Sequence, residues 1–218
     1  WTRRRKSIVS ARKVVLVTGA SIGIGAELAR VFARKGHDLA LAARSRDKLE
    51  ALADEIAAAG AGSGRPRPIV IEIDVARPDS ADALIARLLA EDASVKILVN
   101  NAGFGLIGAA SALARAEQIE MIDLNVRALT DLTLAFLPDV RAARGRILNV
   151  ASVAAFLPGP GMAVYYATKA FVLSFSEALW FELKDEGVTV SALCPGPTAS
   201  GFGARAGVHP EMLDSVRG

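Results

Sequence analysis

Val14-Val15-Leu16-Val17-Thr18-Gly19-Ala20-Ser21-Ile22-Gly23-Ile24-Gly25 is the stretch that decides the fold. Its first four residues are apolar without alternation, as expected of a strand whose two faces are both covered. A turn rich in glycine follows at once, and a helix is expected to begin near Ile24. Gly19 can make the sharp turn off the strand, Gly23 can let backbone approach an anion, and Gly25 can let the helix pack close to the sheet. The N–H groups of the helix start would then face a phosphate.

Working outward, five further β-rich runs are read at Leu39–Ala42, Ile69–Asp74, Ile97–Val99, Arg146–Val150 and Val188–Leu193. Helical apolar spacing fills 24–35, 47–59, 79–91, 116–140 and 164–186. Strands that alternate with helices of this length form right-handed βαβ units, which requires a parallel sheet. The expected fold is therefore a doubly wound, Rossmann-type α/β/α sandwich in which ligands bind beyond the carboxyl ends of the strands. Gly60–Pro68 is the only linker-like stretch and is too short to divide domains. No repeat is present.

Composition agrees with a globular protein: 52% of the 218 residues are hydrophobic and 22% charged. The net charge of +3 is unevenly placed, because Arg3, Arg4, Arg5, Lys6, Arg12 and Lys13 put six positive charges into the first thirteen residues with no acid. The remainder is mildly acidic, so residues 1–12 are read as a basic arm and 13–218 as one domain, with no general nucleic-acid surface. The longest uncharged run, Ile147–Thr168, contains Asn149, Ser152 and Pro158-Gly159-Pro160-Gly161, which excludes a membrane helix. No secretory pattern opens the chain, and Cys194 is the only cysteine. The expectation is a cytoplasmic protein without an internal disulfide.

The residues that follow the strands carry the chemistry. The second strand ends at Ala42-Ala43-Arg44-Ser45-Arg46, with Arg44 nineteen residues after Gly25. A carboxylate there would suit the ribose hydroxyl of NAD, whereas a guanidinium suits the 2′-phosphate of NADP. Asp38 lies at the wrong end of that strand and Asp47 already in the next helix. Tyr165 and Lys169 are four residues apart and share one helix face, so a cation stands near a phenol. Ser152 follows the fifth strand, Asn100-Asn101-Ala102-Gly103 the fourth, and Pro195-Gly196-Pro197-Thr198 the sixth, while Asn125 lies in the intervening helix. No His/Cys set suits a metal, and Ser152 lacks the Gly-x-Ser-x-Gly elbow of a hydrolase.

In this order the segments resemble the short-chain dehydrogenase/reductase family over roughly residues 13–203. The resemblance implies hydride transfer between NADP(H) and a ketone or aldehyde. Tyr165 would be general acid in reduction and base in oxidation. Lys169 would bind the nicotinamide ribose and lower the tyrosine pKa. Ser152 would hold the carbonyl oxygen, and Asn125 a water in the proton relay. Gly19, Ser21, Ile24 and Gly25 would form the pyrophosphate turn, and Arg44 and Ser45 would meet the 2′-phosphate, with Arg46 beside them. Asp74 and Val75 would lie near the adenine, and Asn101, Ala102, Gly103, Pro195 and Gly196 along the cofactor. Thr198 would approach the carboxamide. Phe104, Leu106, Val153, Phe156, Leu157 and Phe202 suggest an apolar substrate pocket.

Two features depart from the family pattern. Ile22 stands where many NADP-using relatives carry Arg or Lys. The chain also ends soon after the Pro-Gly segment, where the family continues into a further strand and helix; a cofactor-binding sensor or scaffold without turnover is the alternative this leaves open. On the helix carrying Tyr165, Phe171, Val172, Phe175, Leu179 and Leu183 are read as one packing face. Leu173 and Trp180 widen it beyond what one sheet covers. That width, with the resemblance, predicts a homodimer or homotetramer joined through this helix.

Overall fold

The computed structural model describes residues 11–62 and 64–197; most of the basic arm, Thr198 and Phe202 lie outside them. Six strands, β1 (Arg12–Thr18), β2 (Asp38–Ala43), β3 (Ile69–Glu72), β4 (Ala93–Asn100), β5 (Arg146–Val150) and β6 (Thr189–Leu193), form one sheet. All neighbouring pairs are parallel, and the order is β3-β2-β1-β4-β5-β6. Chain direction across the sheet reverses between β1 and β4, which places the ligand crevice over their carboxyl ends.

Helices α1 (Gly23–Arg34), α2 (Arg46–Ala59), α3 (Ser80–Ala90), α4 (Arg115–Ile122), α5 (Leu129–Ala142) and α6 (Ala163–Leu183) cover both faces. Val15, Val17, Leu39 and Leu41 pack with Ala26, Ala29, Leu49 and Leu52 beneath α1 and α2. Val14, Leu16, Leu98 and Ile147 pack with Leu84, Leu132, Phe136 and Leu179 beneath α3, α5 and α6. The unbroken apolar character of β1 is thus explained: Val14 to Val17 are all 1% exposed or less, and each face meets its own helix layer.

Several boundaries move from their sequence positions. β1 begins at Arg12, whose guanidinium lies 3.8 Å from Asp38, and the Lys13 amine donates to Ser94 at 2.9 Å. β4 begins at Ala93 rather than Ile97. Its register with β1 steps from Val14–Val95 to Val15–Ile97 and skips Lys96, so a bulge breaks the alternation there.

The helix expected at 116–140 is interrupted by a wide π turn, Asp123–Ala128, between α4 and α5. On α6 the buried residues are Tyr165, Thr168, Lys169, Val172, Ser176, Leu179 and Leu183. Phe171, expected in the packing face, is instead 40% exposed and stacks on Phe175 at 5.8 Å. Its i+4 relation to Phe175 places the two rings side by side on the rim of that face.

Candidate active site

A cleft of about 1340 Å³ runs across the carboxyl ends of the strands. Gly19, Ser21, Ile24, Arg44, Ser45, Asp74, Val75, Asn101, Ala102, Gly103, Ser152, Tyr165, Lys169, Pro195 and Gly196 all border it. Gly25 and Asn125 do not: they stand behind its wall.

The glycine turn is built by close approach. Gly19 and Gly23 have φ of +63° and +58°, a region that favours glycine. A side chain at Gly25 would put its Cβ 2.4 Å from both the Gly19 carbonyl oxygen and the Asn101 amide nitrogen. Asn101 donates from Nδ2 to the carbonyls of Thr18 and Gly19, at 3.0 and 3.1 Å. Thr18 Oγ1 accepts from the N–H of Asn101 and of Ala102, and itself donates to Val99 O at 3.2 Å. The turns after β1 and β4 are thereby locked to each other. α1 starts with no side-chain cap and no acid in its first turn, so its leading N–H groups and positive dipole end are free to hold an anion.

At the end of β2, Arg44 and Ser45 are exposed on the cleft, and Arg44 forms no ion pair among the described residues. Arg46 is tied to Glu50 at 3.2 Å, which withdraws it from the group expected around Arg44. Lys48 takes its place on the cleft wall. It stands in the first turn of α2, just past the loop that carries Arg44 and Ser45. Asp74 Oδ1 accepts from the Ala76 N–H at 3.0 Å, and the Arg127 guanidinium donates to the Ala76 carbonyl. The turn after β3 is held shut from both sides.

Asn125 is 1% exposed, and its amide makes three hydrogen bonds. Oδ1 accepts from the Phe104 N–H at 3.0 Å, and Nδ2 donates to Phe104 O at 2.8 Å and to Thr168 Oγ1 at 3.1 Å. They fall inside the π turn, a feature frequent at functional sites. These bonds clamp Asn125 between Phe104 and α6. A second buried chain, Thr133–Asn100–Asn149–Ser176, links β4, β5, α5 and α6 through three 2.9 Å bonds.

Tyr165 and Ser152 meet inside the cleft. Ser152 is the cap of a short turn at Val153–Phe156, accepting from the Ala154 N–H at 3.1 Å, and it also hydrogen-bonds the Tyr165 side chain. The Lys169 amine, 6% exposed, donates to Val150 O at 2.8 Å and lies 5.9 Å from the centre of the Tyr165 ring. Burial pushes the Lys169 pKa down from 10.5 to about 8. Burial likewise raises the Tyr165 pKa above its ordinary value of 10, opposed by the Ser152 hydrogen bond. The expected lowering of the tyrosine pKa by Lys169 is not found. The amine points to a backbone carbonyl, and desolvation of the phenolate dominates.

Among the described residues no His/Cys/Asp/Glu group could hold a metal, and no helix is long and apolar enough to cross a membrane. The cleft thus offers an anion seat at α1, unpaired cations at β2, and a buried hydroxyl pair with an amine at β5 and α6.

Comparison with known proteins assigns this arrangement. Residues 13–209 match the family model for short chain dehydrogenase. The chain is 36% identical to the oxidoreductase UcpA of Escherichia coli over 94% of this chain and 77% of that one. A short-chain dehydrogenase from Sphingobium yanoikuyae, solved with NADPH, is 41% identical with a TM-score of 0.81, covering 91% of this chain and 75% of its own. The 3-ketoacyl-(acyl-carrier-protein) reductase from Brucella melitensis, solved with NADH, is 30% identical with a TM-score of 0.82, covering 94% and 82%. The chain belongs to the short-chain dehydrogenase/reductase family of oxidoreductases.

Proposed function

We propose that the protein is an NADP(H)-dependent oxidoreductase acting on a carbonyl compound, running as a ketone or aldehyde reductase or in reverse. The observation that carries this reading is the convergence of Ser152, Tyr165 and Lys169 in one cleft with the uncapped α1 N-terminus. The residues present fit a dinucleotide. The α1 N-terminus and the close-packed Gly19–Asn101 turn would seat the pyrophosphate, the Asp74–Val75 turn would flank the adenine, and Gly103 and Lys169 would meet the inner ribose. A nicotinamide bound there supplies the hydride.

The chain's own part is to place and protonate the substrate. Ser152 Oγ holds the carbonyl oxygen, and the Tyr165 hydroxyl donates its proton to that oxygen as the hydride joins the carbonyl carbon. Consumption of NADPH against a panel of ketones and aldehydes tests the reading. Tight dinucleotide binding with no turnover would favour a sensor instead. The single cysteine suits a reducing cytoplasm.

Cofactor choice rests on Arg44, because relatives have been solved with either dinucleotide. No carboxylate ends β2, and Arg44 and Lys48 stand free on the cleft. Arg44→Ala is expected to weaken NADPH binding roughly ten- to hundredfold, the scale of a hydrogen bond to a charged group, and to leave NADH binding almost unchanged. Titration of both dinucleotides checks this; equal losses would remove Arg44 from phosphate recognition.

Self-association is proposed through the outer face of α6. Ala167, Ala170, Phe171, Ser174, Ala178 and Phe181 are exposed along it, with Phe181 64% and Trp180 46% exposed. So large a run of apolar surface on one helix marks a contact site, and a twofold partner would lay the same helix against it. Light scattering at low micromolar concentration is expected to show a dimer or tetramer, and Phe181→Glu to reduce that mass while the protein stays folded. A monomeric parent protein would sink this assignment.

A further inference from the structure

We infer that the substrate end of the cleft admits uncharged, largely apolar carbonyl compounds and discriminates against carboxylates, phosphates and carrier-bound acyl groups. The inference rests on the oxidoreductase reading and adds the class of substrate to it.

Among the described residues, two segments form the longer lips around Ser152 and Tyr165, residues 102–114 after β4 and residues 151–168 after β5, and Pro195, Gly196 and Pro197 border the cleft beside them. Neither contains an Asp, Glu, Lys, Arg or His. They are tied together where the Gly108 N–H donates to Gly161 O at 2.7 Å. The floor is apolar, with Phe104, Met121 and Ala154 packed around Tyr165. The rim is apolar and open to solvent: Ile107 is 39% and Val153 47% exposed, and Phe156 and Leu157, which follow Val153 in the chain without lining the cleft, are 62% and 68% exposed. So much exposed aliphatic and aromatic surface beside a reactive hydroxyl pair is a binding feature rather than chance.

The cations of the cleft are elsewhere. Arg44, Lys48 and Arg77 border it after β2 and β3. In the sheet order β2 lies three strand spacings from β5, about 14 Å, so these cations stand at the opposite end from Ser152. Arg115, the first charge after the earlier lip, does not border the cleft. Lys169 is the one cation beside Ser152 and Tyr165 among the described residues, and its amine is buried and committed to Val150 O. Glu120 and Asp123 also border the cleft, and both oppose an incoming anion. A substrate carboxylate or phosphate would therefore lose its water without gaining a partner. Among the described residues, an acidic carrier protein or a coenzyme A moiety would find no basic rim at this end of the cleft to dock on.

The test uses the full chain, NADPH and matched substrate pairs. Cyclohexanone is compared with 4-oxocyclohexanecarboxylate, and the N-acetylcysteamine thioester of a 3-oxoacyl group with its coenzyme A thioester. The neutral member of each pair is expected to have the higher kcat/KM by roughly tenfold or more, the cost of an unpaired charge in an apolar site. Ile107→Lys, which places an amine on the cleft rim, is expected to narrow that gap by lowering KM for the charged members. Equal or better turnover of the charged members overturns the inference and leaves the oxidoreductase reading standing. No turnover of any member overturns the oxidoreductase reading, and this inference with it.

Discussion

Tyr165→Phe is expected to lower turnover about a thousandfold, within the range that a positioned general acid contributes, while dinucleotide affinity and Tm stay close to those of the parent. The ring would keep its packing against Phe104, Met121 and Ala154, so no cavity opens and the fold has little reason to weaken. Ser152 would lose a hydrogen-bond partner yet keep the Ala154 N–H at 3.1 Å. Removal of one buried phenol also removes a group whose ionisation burial opposes. Only the proton donor is lost, so the deficit belongs in kcat rather than in dinucleotide binding. Steady-state rates with NADPH, together with dinucleotide titration, separate the two. Activity within tenfold of the parent would take Tyr165 out of the acid role, and a parallel loss of binding would show that the hydroxyl serves the cofactor.

The fold was legible because each strand announced itself by an apolar run and each βα turn by its punctuation. The glycine turn after β1 forced a parallel, doubly wound reading. What was hidden is instructive in physical terms. β4 extends back to Ala93, but the bulge at Lys96 breaks the alternation that would have revealed it. The π turn at Asp123–Ala128 has no glycine or proline to mark it, and the bonding of Asn125 within it to Phe104 and Thr168 exists only after folding. On α6 a helical wheel finds apolar residues nearly all round, so it could not say that Phe171 faces outward and Ser176 inward.

For the site, residue identities were readable from their places after the strands, whereas electrostatics were not. Spacing put Lys169 beside Tyr165 correctly, but the depth of both was invisible, and depth reverses the sign of the tyrosine shift. Lys48 went unread because it lies inside α2, and only the folded start of that helix brings it to the cleft beside Arg44.

Lys169→Met is expected to make the protein more stable and less active at once. In the folded state the Lys169 pKa is near 8 against 10.5 for the ordinary group, with burial as the main cause and Cys194 opposing it. The unfolded chain therefore binds the proton more strongly than the fold does. The resulting cost is fully present below about pH 8, shrinks as pH rises from there, and is gone above 10.5. A shift of that size corresponds to roughly 3 kcal/mol, and loss of the hydrogen bond to Val150 O offsets about 1 kcal/mol of the gain. Methionine, of similar length and uncharged, should thus raise stability by about 2 kcal/mol at pH 7. Urea unfolding should show that advantage fading by pH 10.5. Function moves the other way. The parent's affinity for the dinucleotide should fall as pH rises through about 8, where the amine loses its charge. In the methionine variant affinity should be weak and flat with pH, and turnover low. A variant less stable than the parent at pH 7 would show that the buried amine carries no such cost. Undiminished dinucleotide binding would show that Lys169 is not where the inner ribose is held.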